Sequence, residues 1–348
     1  MRLGLNLGYL LGSDVEGVVT LARAAEELGY DVIWVAEAYG SDAPSLLAYL
    51  AASTSHIGLG AAVMQIPART PAMTAMTAAS LDLLSGGRFR LGLGVSGPQV
   101  AEGWHGARFA RPLARTREYV DVVSMALRRE TVRYDGEFIA LPLPDGPGKA
   151  LRLAVQPVRA NVPLYLGAVG PRSLELAGEL ADGWLAIFFS PEHAGELMGR
   201  VRAGRERGGR TGPFDVSASV AVSLGDDLAA CADAVRGYAA LYVGGMGSRE
   251  HNFYNALVSR MGFEAAAREI QDLFLGGEHR AAAAAVPFDL LDTTSLLGTQ
   301  ERVADRLRAF AAAGVTTLNV SLFARDAGER VDALRTVAAA LEAAGLAE

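Results

Sequence analysis

The chain has 348 residues and a formal charge of −7, from 32 basic and 39 acidic side chains. Without a basic field to attract phosphate backbones, nucleic acid is not expected as a partner. A single cysteine, Cys231, excludes a disulfide framework, and no run of about 18 uncharged apolar residues offers a membrane span.

Short apolar runs alternate with amphipathic segments. The first run, Leu3 to Leu7, follows Arg2 and is broken by Asn6, with Asp14 and Glu16 soon after. That pattern predicts a buried first strand rather than a secretion signal, and a cytoplasmic address. A helix is expected from Val15 to Leu28, with Asp14 as N-cap and Gly29 beyond its end. A strand at Val32 to Ala36, a helix around Pro44 to Ser53 and a strand at Ile57 to Val63 follow. Pro71 opens a helix running to about Leu84, which Ser85-Gly86-Gly87 ends. Phe89 to Val95 reads as a strand and Leu113 to Leu127 as a helix.

Residues 131–160 hold Pro142, Pro144, Pro147 and Pro157, and read as an irregular excursion. The rhythm resumes with a strand at Leu164 to Val169, a helix from Pro171 to Leu180 and a strand at Trp184 to Phe188. A helix over Glu192 to Arg207 and a strand at Phe214 to Val222 come next. A helical insertion is expected over about 226–298. The last strand is Val315 to Leu322 and the last helix Glu329 to about Ala343. Eight strand-like runs, most continuously apolar and nearly all followed by a helix, favour one closed (β/α)8 TIM barrel over residues 1–348. The active site of such a barrel lies at the C-terminal ends of its strands.

Five strand-end segments carry chemistry. Glu37-Ala38-Tyr39-Gly40-Ser41-Asp42 offers carboxylates and a phenol, or a capping loop for the next helix. Ala61 to Pro67 is small and apolar, suited to core packing or to backing a flat ring. In the stretch Gly92 to Phe109, the glycines Gly92, Gly94 and Gly97 let backbone approach a ligand, and Trp104 and His105 follow. Gly167 to Ser173 places Pro171 and Arg172 in the first turn of a helix, whose free N–H groups suit an anion. Gly244 to Asn255 is a flexible, then polar and aromatic stretch that serves as a substrate wall or as a turn before a helix. The histidines His56, His105, His193, His251 and His279 are scattered, so no metal site is expected.

Three stretches together resemble the luciferase-like monooxygenase superfamily: the run from Ile57 through SGGRFRLGLGVSGP, then VPLYLGAVGPRSLELAGELADGW, then GTQERVADRLRAFAAAGVTTL. They look most like its branch that uses the deazaflavin coenzyme F420, which includes methylenetetrahydromethanopterin reductase. The resemblance implies a luciferase-like barrel with the coenzyme at the strand ends. It implies a non-prolyl cis peptide at Ala62–Val63 behind the deazaflavin and an acidic residue, Glu37, near the ring. It further implies contacts from Gly94, Val95, Ser96 and Gly97, and a coenzyme phosphate held by Ala168, Val169, Gly170, Pro171 and Arg172.

Sugar-phosphate dehydrogenases of this family carry a histidine after that acidic residue and bind substrate phosphate with lysines. Here the position is Ala38, and Lys149 is the only lysine. The expected activity is hydride exchange between deazaflavin C5 and a small organic substrate. The alternatives are an FMN-dependent monooxygenase and a cofactor-holding relative without turnover. By chemistry, His105, Glu37 and Tyr39 are the candidate catalytic groups, and His251 and Asn252 the candidate substrate contacts. Relatives are commonly dimers, so a homodimer is expected.

Overall fold

The computed structural model describes residues 1–9, 14–324 and 326–347. Eight parallel strands close on themselves: β1 Arg2–Gly8, β2 Val32–Val35, β3 Gly58–Ala61, β4 Phe89–Gly94, β5 Leu164–Gly167, β6 Gly183–Ile187, β7 Asp215–Leu224 and β8 Thr317–Leu322. Closure is made by β8 against β1, where Thr317 pairs with Arg2 and Val320 with Leu5. The outer ring consists of α1 Val15–Glu27, α2 Ala43–Ser53, α3 Pro71–Leu84, α4 Pro112–Leu127, α5 Pro171–Leu180, α6 Ala194–Arg207, α7 Gln300–Ala312 and α8 Ala327–Ala343. The strands are buried on both faces because helices cover the outside and side chains fill the inside, which explains their unbroken apolar sequences. Among the described residues, no helix is long and apolar enough to cross a membrane.

Local chemistry sets the helix starts. Asp14, Asp42 and Thr70 each accept a hydrogen bond from a backbone N–H in the first turn of α1, α2 and α3. Gly29, Gly86 and Gly87 adopt positive φ after α1 and α3, where a side chain would be strained.

Ions close the N-terminal end of the barrel. Arg2 lies 3.0 Å from Asp215 and 3.4 Å from Asp31, and Arg90 lies 2.8 Å from Asp31. The Tyr165 hydroxyl donates to Asp215 at 2.9 Å, and its ring meets Trp34 edge-on inside the barrel. This end is therefore filled, and ligand space is left to the other end.

The structure differs from the sequence reading at three places. The third strand was expected to run from Ile57 to Val63, but it stops at Ala61. A cis peptide joins Ala62 and Val63, and Met64–Gln65 then resumes pairing with β4. The excursion over 131–160 contains a short antiparallel pair, Tyr134–Asp135 with Ala140–Leu141. The insertion after β7 begins with the helix Leu228–Ala240 and includes the helices Phe253–Val258 and Glu264–Leu275. It is not wholly helical, because Ser295–Gly298 forms a strand beside the upper part of β7.

Candidate active site

A cavity of about 1180 Å³ opens at the C-terminal ends of the strands. Its floor is made where β3 breaks. Gly92 gives the Ala61 carbonyl its room, since a Cβ there would lie 1.8 Å from that oxygen. A Cβ on Gly94 would lie 2.4 Å from the Val63 Cγ2, and one on Gly167 would lie 3.2 Å from its Cγ1. These glycines thus admit the Ala62–Val63 step, and Ala62, Val63, Gly94, Val95, Ser96 and Gly97 share one cavity surface.

A polar network lies behind that surface. The Glu37 side chain is only 6% exposed, and Arg69 grips it with both guanidinium nitrogens, one at 2.8 Å. The backbone N–H groups of Ala43 and Gln65 also donate to Glu37. Arg69 reaches Asp42 at 2.6 Å as well. Gln65 donates to the Ala38 carbonyl and accepts from the Ser96 hydroxyl. Ser96 sits at φ 61°, a left-handed conformation that turns the chain over the network. With its carboxylate bonded on both oxygens, Glu37 is built to hold the β2 and β3 loops together rather than to exchange protons.

At the end of β5, Ala168 through Arg172 also line the cavity. The Trp184 indole N–H donates to the Ala168 carbonyl at 2.8 Å, and Arg260 donates to the Val169 carbonyl at 3.3 Å. Ser173 accepts from the Val169 N–H and donates to the Gly170 carbonyl. The carbonyls are thus held from behind, and the first-turn N–H groups of α5 carry partial positive charge beside the exposed Arg172. Arg260 brings a second cation to this end, from an inserted segment with no sequence motif to announce it.

The remaining wall is aromatic: Tyr9, Tyr39, Tyr238, Tyr242, Phe253, Tyr254 and Phe323. Phe188, in a left-handed turn after β6, stacks on Tyr238 at 5.7 Å, and Tyr242 meets Tyr254 edge-on at 4.9 Å. Tyr254 falls in the aromatic stretch Gly244 to Asn255 that the sequence offered as a substrate wall, whereas Tyr238 and Tyr242 were missed. The i, i+4 spacing of Tyr238 and Tyr242, with Tyr254 downstream, was the available signal.

Three expected residues are not brought to the cavity wall. Pro98–Gly103 forms a short helix, and the chain leaves it past the cavity. His105 lies beyond that helix, half-buried, with its backbone N–H on Val100. Its neighbour Trp104 is 67% exposed and shields nothing. His251 is exposed, its ring 3.4 Å from the Ser248 hydroxyl. Asn252 is buried and spent: it caps the helix Phe253–Val258 and donates to the carbonyls of Tyr242 and Val243. Tyr39 does reach the cavity, at its rim, and is 61% exposed. No group of residues suited to a metal ion occurs among the described residues.

Comparison with known proteins agrees with this architecture. The chain is 43% identical over 331 residues to a Mycobacterium tuberculosis protein provisionally named a coenzyme F420-dependent oxidoreductase, covering 92% of this chain and 95% of that one. It is 31% identical over 314 residues to the 5,10-methylenetetrahydromethanopterin reductase of Methanolobus tindarius, covering 89% and 91% respectively. The fold matches that of the coenzyme F420-dependent tetrahydromethanopterin reductase of Methanopyrus kandleri with a TM-score of 0.82, at 24% identity and 97% coverage of both chains. Residues 4–317 match the family model of luciferase-like monooxygenases, and the chain belongs to that family.

Proposed function

We propose that the protein is an F420-dependent oxidoreductase acting on a small organic molecule. The observation that carries this reading is the pairing, within one cavity, of a small apolar floor at Ala62–Val63 with an anion-binding helix end at Gly170–Arg172. A planar ring bearing a phosphate-linked side chain has these two needs. Ligand pockets commonly span about 300–1000 Å³, so a cavity of about 1180 Å³ has room for the coenzyme and a second molecule. Relatives named for F420 chemistry support the choice of coenzyme.

Bound F420 would supply hydride transfer at its C5. The protein's own residues do the rest. Val63, backed by Gly94 and Gly167, supports the ring face. The Arg69–Glu37 pair fixes the loops that carry Ala38 and Gln65. Arg172 and the first-turn N–H groups of α5 receive the phosphate. The aromatic wall excludes water from the other face.

The decisive experiment is a binding titration of the purified protein with F420 and FMN in parallel. F420 binding with weak or no FMN binding is expected. Submicromolar FMN affinity without F420 binding would reverse the assignment toward a flavin monooxygenase.

We further propose a homodimer. Met73, Met76, Leu83 and Leu84 form an exposed apolar stripe along α3, beside exposed Tyr49 on α2. Such a stripe is a surface that a second copy covers. Light scattering at micromolar concentration is expected to give twice the chain mass, and a monomer mass would refute the dimer.

A further inference from the structure

The aromatic wall has a second property. Tyr9, Tyr39, Tyr238, Tyr242 and Tyr254 enter from three separate parts of the barrel mouth, and all line the cavity. Burial pushes the phenols of Tyr9, Tyr238, Tyr242 and Tyr254 up, and the neighbouring hydroxyls add to the effect. The rings of Tyr238 and Tyr242 pack at 4.8 Å and those of Tyr242 and Tyr254 at 4.9 Å, so these phenols stand together on the cavity wall that Tyr9 also lines. Kept neutral, each has a proton to donate.

The charged groups on the cavity are committed or peripheral. Asp14 and Asp326 cap α1 and α8, and Arg69 holds Glu37. Arg172 belongs to the phosphate end, and Arg330 is exposed on α8. No other charged side chain lines the cavity among the described residues. A carboxylate or phosphate bound against the tyrosines would lose its hydration, and the cations that line the cavity, Arg172 and Arg330, are both solvent-exposed and screened. A cation would need open ring faces, and the rings of the insertion cover one another: Tyr242 and Tyr254 cross at 80°, and Phe188 and Tyr242 at 65°.

We propose that this wall receives an uncharged carbonyl compound on a flat or cyclic apolar body, with its oxygen accepting hydrogen bonds from the clustered hydroxyls of Tyr9 and Tyr242. The proposal rests on the F420 reading for its place as the second molecule in the cavity. Its binding chemistry belongs to this chain's own residues.

The test is calorimetric binding of acetophenone, benzoate and benzylammonium, three probes with one ring and different charge, to the protein with and without F420. Acetophenone is expected to bind at least about tenfold more tightly than either ion, given the cost of desolvating an unpaired charge. Tyr9→Phe and Tyr242→Phe keep the ring and remove the hydroxyl. Each is expected to weaken acetophenone about three- to tenfold, the worth of one neutral hydrogen bond. F420 affinity in both variants should stay within about twofold, on the same scale of non-participation. Equal or tighter binding of either ion, absence of acetophenone binding, or unchanged affinity in both variants would overturn the proposal. If F420 fails to bind while acetophenone binds as described, the coenzyme assignment falls and the carbonyl wall stands. If F420 binds and acetophenone does not, the reverse holds.

Discussion

Val63 and Gly94 occupy adjoining positions so close that a single methyl group cannot be added between them. A Cβ on Gly94 would stand 2.4 Å from the Val63 Cγ2, far inside van der Waals contact. The floor of the cavity is thus fixed by a pair, one residue at the break in β3 and the other at the end of β4.

That contact yields a stability and a binding prediction. Gly94→Ala must displace Val63 or bend β4, and overpacking of this kind costs about 1–3 kcal/mol. F420 affinity should fall with it, because the displaced side chain moves into the coenzyme's space. Val63→Ala removes the clashing methyl groups, so the double variant should recover most of the loss. Chemical denaturation and coenzyme titration of the three variants measure this. Additive losses in the double variant would show that the two residues act independently.

Arg172→Ala should weaken coenzyme binding by about 1–3 kcal/mol, the scale of a charge-assisted hydrogen bond to phosphate. Stability should not change, since the side chain is exposed on the first turn of α5. Unchanged F420 affinity would place the phosphate elsewhere in the cavity.

Glu192 gives a pH prediction. Burial alone would push its carboxyl up, but hydrogen bonds from Arg306 and Thr293 outweigh it and bring the group down to about 2. A carboxyl depressed in the folded state stabilises the fold above its unfolded value near 4.5, and that contribution is lost as pH falls toward about 2. The side chain is 48% exposed, so screening reduces the effect to about 1 kcal/mol. Glu192→Gln should flatten the stability curve between those two pH values and leave its shape unchanged above them. An equally steep acid limb in the variant would assign the acid sensitivity to other carboxylates.

The sequence showed the barrel more clearly than the site. Strands such as Phe89–Gly94 and Thr317–Leu322 announce themselves because burial on both faces demands continuous apolar residues. Ser295–Gly298 was missed because a four-residue strand between two helices has no period of its own, and Asp289 to Leu297 reads as one helical stretch. At the site, the small residues of the floor and the Pro171 helix start were visible as local patterns. Asn252 was misjudged because a cap and a ligand contact use the same side-chain chemistry, and only the fold shows that its amide and oxygen are already bonded. The convergence of Tyr9 with Tyr238, Tyr242 and Tyr254 depends on long-range packing, which no local spacing reveals.

His105 provides the sharpest test of how far residue chemistry alone can be trusted. An imidazole suits proton transfer as a residue type, and its loop follows β4. The structure turns that loop outward: the helix Pro98–Gly103 carries Gln99 and Val100 to the cavity and leaves His105 behind them. The His105 Nε2 is enclosed without a hydrogen-bond partner, and the residue is not part of the cavity lining. A group that moves a proton in the transition state contributes about 10²–10⁴-fold. His105→Asn should therefore change single-turnover hydride transfer by no more than about twofold, far below that range. Tyr9→Phe and Tyr242→Phe should slow the same step by much more if their hydroxyls meet the substrate oxygen. A loss of about 10²-fold in His105→Asn with intact F420 affinity would mean that the loop closes over the cavity when ligands bind, and would return the proton-transfer role to the histidine.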